Sequence, residues 1–130
     1  MEKQKYELEF LVNTSPKILF NFLTTPSGLS DWFSDDVNIR NDIYTFIWEG
    51  EETKAKLITK KKDEYVKFQW IDEDENPEDE GCYFDFRIRV DSLTNETAHI
   101  VSDYSEFDEM DSAEKLWESQ ISELKHILGL

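Results

Sequence analysis

Few residues in this sequence fall at spacings that known chemistry requires, and the acidic run beginning at Asp72 comes nearest. Asp72, Asp74 and Asn76 occupy the first, third and fifth places of a calcium-binding EF-hand loop. Pro77 stands where that loop needs glycine for its sharp turn, and Tyr83 holds the twelfth place, which requires a bidentate glutamate. We therefore predict a solvated hairpin loop that protects a sheet edge, rather than a calcium site.

The other residues with ligand or nucleophile chemistry are isolated. His99 and His126 lack a second ligand at a metal-binding spacing, so each is predicted to be a hydrogen-bonded or exposed histidine, and no metal site is expected. Cys82 is the only cysteine, which excludes a CxxC motif, and its acidic neighbours disfavour the thiolate. The sequence has no nucleophile elbow, phosphate loop or HExxH motif, so it predicts no catalytic residue and no cofactor.

The charge of the chain excludes several partners. It carries 30 acidic and 14 basic residues, a formal net charge of -16, which would repel nucleic acid and anionic membranes. Such acidity favours either solubility alone or attraction to a basic protein partner. The single cysteine suits a reducing compartment, and the N-terminal residues contain no long apolar stretch, so we expect a cytoplasmic protein without a signal peptide or membrane span.

The elements that must position any site begin with a strand and two short helices. Apolar and polar residues alternate over Lys5–Val12, which predicts a half-buried strand. Ser15 followed by Pro16 is typical of a helix start. Pro26 is expected to end this first helix, and a second short helix is predicted over Leu29–Phe33.

Beyond these helices the chain alternates in segments separated by short turn-forming sequences, which predicts an antiparallel meander. The predicted strands are Val37–Arg40, Ile43–Trp48, Thr53–Lys61, Tyr65–Trp70, Tyr83–Val90 and Thr97–Tyr104. Large aromatic residues share one face of the strands, whereas Lys67, Asp85 and Arg87 point away from it. That apolar face must be covered by another element.

The C-terminal segment, Asp111–Leu130, is predicted to be the covering helix. Its apolar residues recur every three or four positions, and Trp117 lies near its middle. The helix would be roughly 30 Å long, enough to span a sheet of six or seven strands. The 130 residues are near the usual size of one domain, so the sequence predicts a single α+β domain, 1–130, with a curved antiparallel sheet around the terminal helix.

This order of elements resembles the helix-grip fold of the START-like superfamily, which includes birch-pollen-allergen-like proteins and polyketide cyclases. The start of the chain is similar to the branch related to activators of the heat-shock-protein-90 ATPase, through Ser15-Pro16, Phe20, Phe22, Leu23, Pro26, Leu29 and Trp32-Phe33. Related domains often have a glycine-rich turn and a basic or neutral connection in mid-sheet, where this chain has the acidic segment Ile71–Gly81. A relative's partner interface is therefore not carried over.

The inward aromatic residues either fill an ordinary core or line a cavity between the sheet and the terminal helix, and the sequence leaves both open. From these residues and from the resemblance, we expect a non-enzymatic module that binds a small hydrophobic ligand. The residues predicted to contact it are Phe46, Trp48, Phe68, Trp70, Phe84, Phe86, Trp117 and Ile121.

Two other functions stay open at this point. One is an acidic, co-chaperone-like interaction domain that binds a basic protein surface. The other is a cyclase- or hydrolase-like enzyme in the same cavity, which would need polar groups converging on an apolar pocket. Since a meander leaves edge strands, both a monomer and a homodimer are compatible with the sequence.

Overall fold

A seven-stranded antiparallel sheet forms the centre of the protein in the computed structural model, which describes residues 3–71 and 83–129. The strands are β1 Lys3–Leu11, β2 Asp36–Arg40, β3 Ile43–Trp48, β4 Glu51–Lys61, β5 Tyr65–Ile71, β6 Tyr83–Val90 and β7 Thr97–Glu106. Their order across the sheet is β1-β7-β6-β5-β4-β3-β2. The acidic loop and Cys82, for which a solvated hairpin and a poor nucleophile were predicted, lie outside the described residues.

Within the described residues, three α-helices accompany the sheet. They are α1 Pro16–Thr24, α2 Pro26–Trp32 and α3 Met110–Ile127, the last preceded by a short 3-10 turn, Phe107–Glu109. The buried side of α3 carries Trp117, Ile121 and Leu124, as its apolar periodicity requires. The predicted fold class, a curved antiparallel sheet with a C-terminal helix and two short helices after β1, is therefore confirmed.

The boundary between α1 and α2 differs from the prediction. Pro26 begins the second helix, whereas the sequence predicted a turn there and a helix from Leu29. The Thr25 side chain caps this helix, since its Oγ1 accepts a 3.0 Å hydrogen bond from the Gly28 N–H. A Cβ on Gly28 would lie 2.5 Å from the Asn21 carbonyl oxygen, so the corner between the helices requires glycine. Pro26 thus occupies the first position of its helix, as Pro16 does in α1.

The remaining predicted bounds are close to the observed ones. Each predicted strand is present, and its ends differ by at most two residues. The terminal helix ends at Ile127 rather than at Leu130, because Gly129 adopts a positive φ of 79°, a common way for a helix to end.

Aromatic side chains fill the space over the middle of the sheet. Phe46, Phe68, Phe84 and Phe86 are each at most 1% exposed. The rings of Phe68 and Phe84 stack with centroids 4.9 Å apart, and those of Phe84 and Phe86 meet at 67° with centroids 5.5 Å apart. This part of the concave face is thus a packed core rather than a cavity.

His99 is also part of this core, and here the sequence-based prediction was wrong. The residue was expected to be hydrogen-bonded or exposed, but it is fully buried, and neither ring nitrogen has a hydrogen-bond partner among the described residues. Its position on the inner face of β7 places it against the rings of Phe86 and Trp32. Burial alone lowers the pKa of His99 to about 3, since the charged imidazolium would lose its hydration there.

We predict that His99 makes the protein sensitive to mild acid. The unfolded chain takes up a proton at His99 below pH 6.5 and the folded chain does not, so stability falls as pH decreases from 6.5 towards 3. His99→Leu should remove this loss. Relative to the unmodified protein, its free energy of unfolding should rise by about 2 kcal/mol between pH 7.5 and pH 5, measured by urea denaturation.

The matched control is His126→Gln, which removes an exposed imidazole from α3. The free energy of unfolding of this variant should follow that of the unmodified protein across the same pH range. A constant difference between His99→Leu and the unmodified protein from pH 7.5 to pH 5 would show that His99 is not held neutral by burial.

Candidate functional site

Phe33, the residue that ends α2, lies where the short helices, the sheet and α3 meet. Its ring lies 5.0 Å from the ring of Phe46 and 5.7 Å from that of Trp117, centroid to centroid. Its backbone carbonyl accepts hydrogen bonds from Trp48 Nε1 at 2.7 Å and from Gln120 Nε2 at 2.9 Å. Carbonyl groups at the end of a helix have no hydrogen-bond partner within that helix. The Phe33 carbonyl instead links β3 and α3 through these two hydrogen bonds.

An open groove of about 430 Å³ lies beside this junction, between the sheet and α3. Its apolar lining consists of Phe33, Trp48, Trp70, Ala113, Leu116 and Trp117. Trp48 and Trp70 are half-buried on β3 and β5, and Leu116 is exposed on α3. The groove thus begins where the fully packed phenylalanine core ends.

Three polar residues complete the lining: Thr53 on β4, Asp103 on β7 and Gln120 on α3. Asp103 belongs to a hydrogen-bonded cluster, since its Oδ2 accepts from Tyr6 Oη at 3.3 Å and from Trp117 Nε1 at 3.2 Å. Trp117 Nε1 also donates to Tyr6 Oη at 3.0 Å. β1, β7 and α3 each supply one member, so the cluster fixes the helix against the edge of the sheet.

The pKa of Tyr6 is raised above its ordinary value. Burial is the largest cause, and the nearby negative charge of Asp103 adds to it. The phenol of Tyr6 therefore stays protonated through the neutral range and acts as a hydrogen-bond donor to Asp103.

The eight residues predicted to contact a ligand divide into two groups. Trp48, Trp70 and Trp117 line the groove together. Phe46, Phe68, Phe84, Phe86 and Ile121 are buried in the adjoining core. Ligand contact at these positions remains a prediction.

Sequence reasoning missed six residues that line the groove: Phe33, Thr53, Asp103, Ala113, Leu116 and Gln120. Asp103 shares the inward face of β7 with His99 and Val101, and continuing that alternation would have found it. Gln120 follows Trp117 by three residues, a spacing that places both on one side of a helix. The role of the Phe33 carbonyl has no sequence signal, because it depends on two side chains from distant elements.

With this geometry established, the chain can be placed in a family. The family model described as a START-like superfamily domain matches residues 1–130. The chain therefore belongs to the START-like superfamily, and the predicted membership is confirmed. No curated protein matches the sequence.

Several solved structures are similar to this chain. The solution structure of a Bacteroides fragilis protein is 34% identical, with a TM-score of 0.67, and the match covers 100% of this chain and 94% of that one. The Aha1 dimer from Colwellia psychrerythraea is 19% identical, with a TM-score of 0.79 and coverage of 94% and 93%. CalU16 from Micromonospora echinospora is 12% identical, with a TM-score of 0.71 and coverage of 97% and 74%. At 19% and 12% identity, the similarity of the Aha1 dimer and of CalU16 to this chain shows a common fold alone.

A separate observation concerns membranes. Within residues 3–71 and 83–129, no helix is both long and apolar enough to cross a bilayer.

We predict that the cluster of Tyr6, Asp103 and Trp117 acts as a unit in stability. Tyr6→Phe should lower the free energy of unfolding by about 1 kcal/mol and Trp117→Phe by about 2–3 kcal/mol, since each loses buried hydrogen bonds. The double variant should lose less than the sum, with a coupling energy of about 0.5–1 kcal/mol in urea denaturation.

Tyr44→Phe provides the control for this cycle. The Tyr44 hydroxyl donates to the Thr24 carbonyl at 2.9 Å, a bond outside the cluster. Combining Tyr44→Phe with Trp117→Phe should therefore give additive losses. Additive losses for the Tyr6 and Trp117 pair as well would contradict the cluster.

Proposed function

We propose that the protein is a non-enzymatic binding module whose groove between the sheet and α3 holds a small hydrophobic molecule. The observation that carries this proposal is the open groove of about 430 Å³ bordered by three tryptophans. Small-molecule sites commonly have volumes of roughly 300–1,000 Å³ and mostly apolar walls with a few placed polar groups. Membership of the START-like superfamily, in which a ligand-binding cavity is common, supports the same conclusion.

The division of aromatic residues also favours a ligand site. Four phenylalanines already fill the core, so the fold does not need Trp48 and Trp70 to be more deeply buried. Both indoles instead remain partly accessible at the groove, next to the exposed Leu116. Partly exposed apolar groups that line one concavity can bury their remaining surface against a ligand, at a gain of about 25 cal/mol for each Å².

The groove chemistry favours binding over acid–base catalysis. A general acid or base works best when its pKa lies near the operating pH. Tyr6, which bonds to Asp103 behind the groove wall, has its pKa moved further above neutrality. His99 is fully buried and is not among the residues that line the groove.

The direct test is binding of an uncharged hydrophobic fluorophore, N-phenyl-1-naphthylamine. Its emission should increase as it moves from water into the apolar groove, and the increase should saturate at one site. Ala113→Phe should weaken the binding at least about tenfold, because the added ring occupies groove volume while the core below is unchanged.

Ser122→Phe is the matched control. Position 122 lies nine residues after Ala113, on the opposite side of an α-helix, and is exposed. This variant adds the same ring to α3 outside the groove and should bind the fluorophore like the unmodified protein. No saturable binding to the unmodified protein, or equal weakening by the two variants, would reject the groove as the site.

A further inference from the structure

We propose that the free edge of β1, the side of this strand that faces away from β7, binds the β1 of a second copy of this chain. The two strands pair antiparallel, with Lys5 of each copy opposite Glu7 of the other. The contact would join two seven-stranded sheets into one continuous sheet. The inference concerns the edge of the sheet and does not rest on the proposed function.

β1 is a long strand at one end of the sheet. It has nine residues and pairs with β7, and no described strand lies on its other side. The side chains of Lys5, Glu7 and Glu9 are exposed. Such an edge presents a row of N–H and C=O groups to which another strand can bind through main-chain hydrogen bonds.

The register with β7 identifies the backbone groups that face the free edge. The N–H of Val12, directly after β1, donates to the Thr97 carbonyl at 2.8 Å. Successive residues of an antiparallel strand turn their backbone groups to opposite sides, and the pairing of β1 with β7 is unbroken from residue 3 to residue 11. The even-numbered residues of β1 therefore bond to β7, whereas Lys5, Glu7 and Glu9 present their N–H and C=O groups to the free edge.

The charges along this edge complement themselves. In a two-fold pairing centred on Tyr6, Lys5 of each copy lies opposite Glu7 of the other, because both residues are one position from the centre. Both also present their backbone groups to the edge, so each such pair exchanges two hydrogen bonds. Opposed side chains of this kind lie on one face with their Cβ atoms about 5 Å apart, a separation at which opposite charges stabilise the pairing.

Other registers lose this complementarity. Sliding the second strand by two residues moves the centre to Lys5 or to Glu7, which then lies opposite its own copy, and like charges directly opposite are destabilising. Sliding it by one residue places edge-facing backbone groups opposite groups that already bond to β7. The charge order thus selects one register, and two-fold pairing is closed, so the assembly ends at a dimer.

The contacts within one chain leave Lys5 and Glu7 able to pair. Lys5 forms no ion pair with another described residue. Glu7 Oε1 accepts a 3.2 Å hydrogen bond from Ser102 Oγ, a neutral donor that does not cancel its charge. Glu9 differs, because Arg89 Nη1 lies 3.7 Å from Glu9 Oε1. The complementary pair is therefore Lys5 with Glu7.

The other end of the sheet is less suited to strand pairing. β2 has five residues, and the Val37 N–H donates to Asp36 Oδ1 at 2.9 Å, so that N–H is already used. Fewer backbone groups are thus available to a second chain at β2 than at β1.

The net charge of -16 on each chain opposes association at low salt. At about 0.15 M salt the screening length is about 8 Å, so distant charges are damped while opposed side chains still attract each other. The dissociation constant of the dimer is therefore measured at this salt concentration, by sedimentation velocity over a series of protein concentrations.

Charge reversal tests the register. Lys5→Glu and Glu7→Lys each place like charges opposite each other and should weaken the dimer at least about tenfold. The double variant Lys5→Glu/Glu7→Lys should return the dissociation constant to within about threefold of that of the unmodified protein. An equimolar mixture of the two single variants should form a mixed dimer, because every lysine then lies opposite a glutamate.

Two exposed residues outside β1 provide the controls. Lys17→Glu on α1 and Glu118→Lys on α3 make the same changes in net charge away from the edge. Each should leave the dissociation constant within about twofold of that of the unmodified protein.

Lys5→Pro tests the backbone contact. The substitution removes an N–H that faces the free edge and leaves the hydrogen bonds between β1 and β7 in place. It should abolish the dimer, while thermal unfolding shows that the chain still folds. In the unmodified protein, the amides of Glu7 and Glu9 should exchange with solvent slowly at concentrations that favour the dimer and rapidly at those that favour the monomer.

Three results would overturn this inference. The first is a chain that stays monomeric up to about 1 mM. The second is a dimer that persists in Lys5→Pro, since its contact then lies elsewhere. The third is weakening by both single variants without recovery in the double variant or the mixture, because Lys5 and Glu7 then do not lie opposite each other.

Discussion

The hydrogen bonds from Trp48 and Gln120 to the carbonyl of Phe33 are the contacts on which the arrangement of the groove depends. They satisfy a backbone group at the end of α2 that would otherwise be buried at a cost of about 1–3 kcal/mol. Because one donor comes from β3 and the other from α3, they also set the separation between the sheet and the helix. The ring of Phe33, packed against Phe46 and Trp117, fixes the same separation from inside.

The aromatic residues of this protein serve two purposes that burial distinguishes. The phenylalanines of β3, β5 and β6 are fully enclosed and supply the apolar burial that stabilises the fold. The tryptophans carry a polar N–H, which suits positions at the boundary between packed core and accessible space. Trp48 and Trp117 use that N–H for hydrogen bonds that fix their rings. The Trp48 and Trp117 rings are therefore held in place, which would lower the entropy cost of the proposed ligand binding.

Much of the fold could be predicted from the sequence because period-two and helical alternation record which side of each element is buried. The meander, the two short helices and α3 all follow from such local patterns. The start of α2 was misplaced because a proline after a helix can end that helix or begin the next, and the Thr25 cap decides between them. The state of His99 could not be predicted either, since an imidazole buried without a hydrogen-bond partner among the described residues contradicts the usual rule for buried polar groups. For the site, the alternation identified the three tryptophans as inward-facing, but it could not show which aromatic residues remain accessible. That distinction depends on how far α3 lies from each strand.

The most direct test of a ligand-binding groove is native mass spectrometry of the protein purified under mild conditions from the cell that makes it. The account predicts a population of chains with one discrete additional mass of small-molecule size, which denaturation releases and which the Ala113→Phe variant lacks. Only the bare chain mass in the unmodified protein, under conditions that preserve non-covalent complexes, would contradict it.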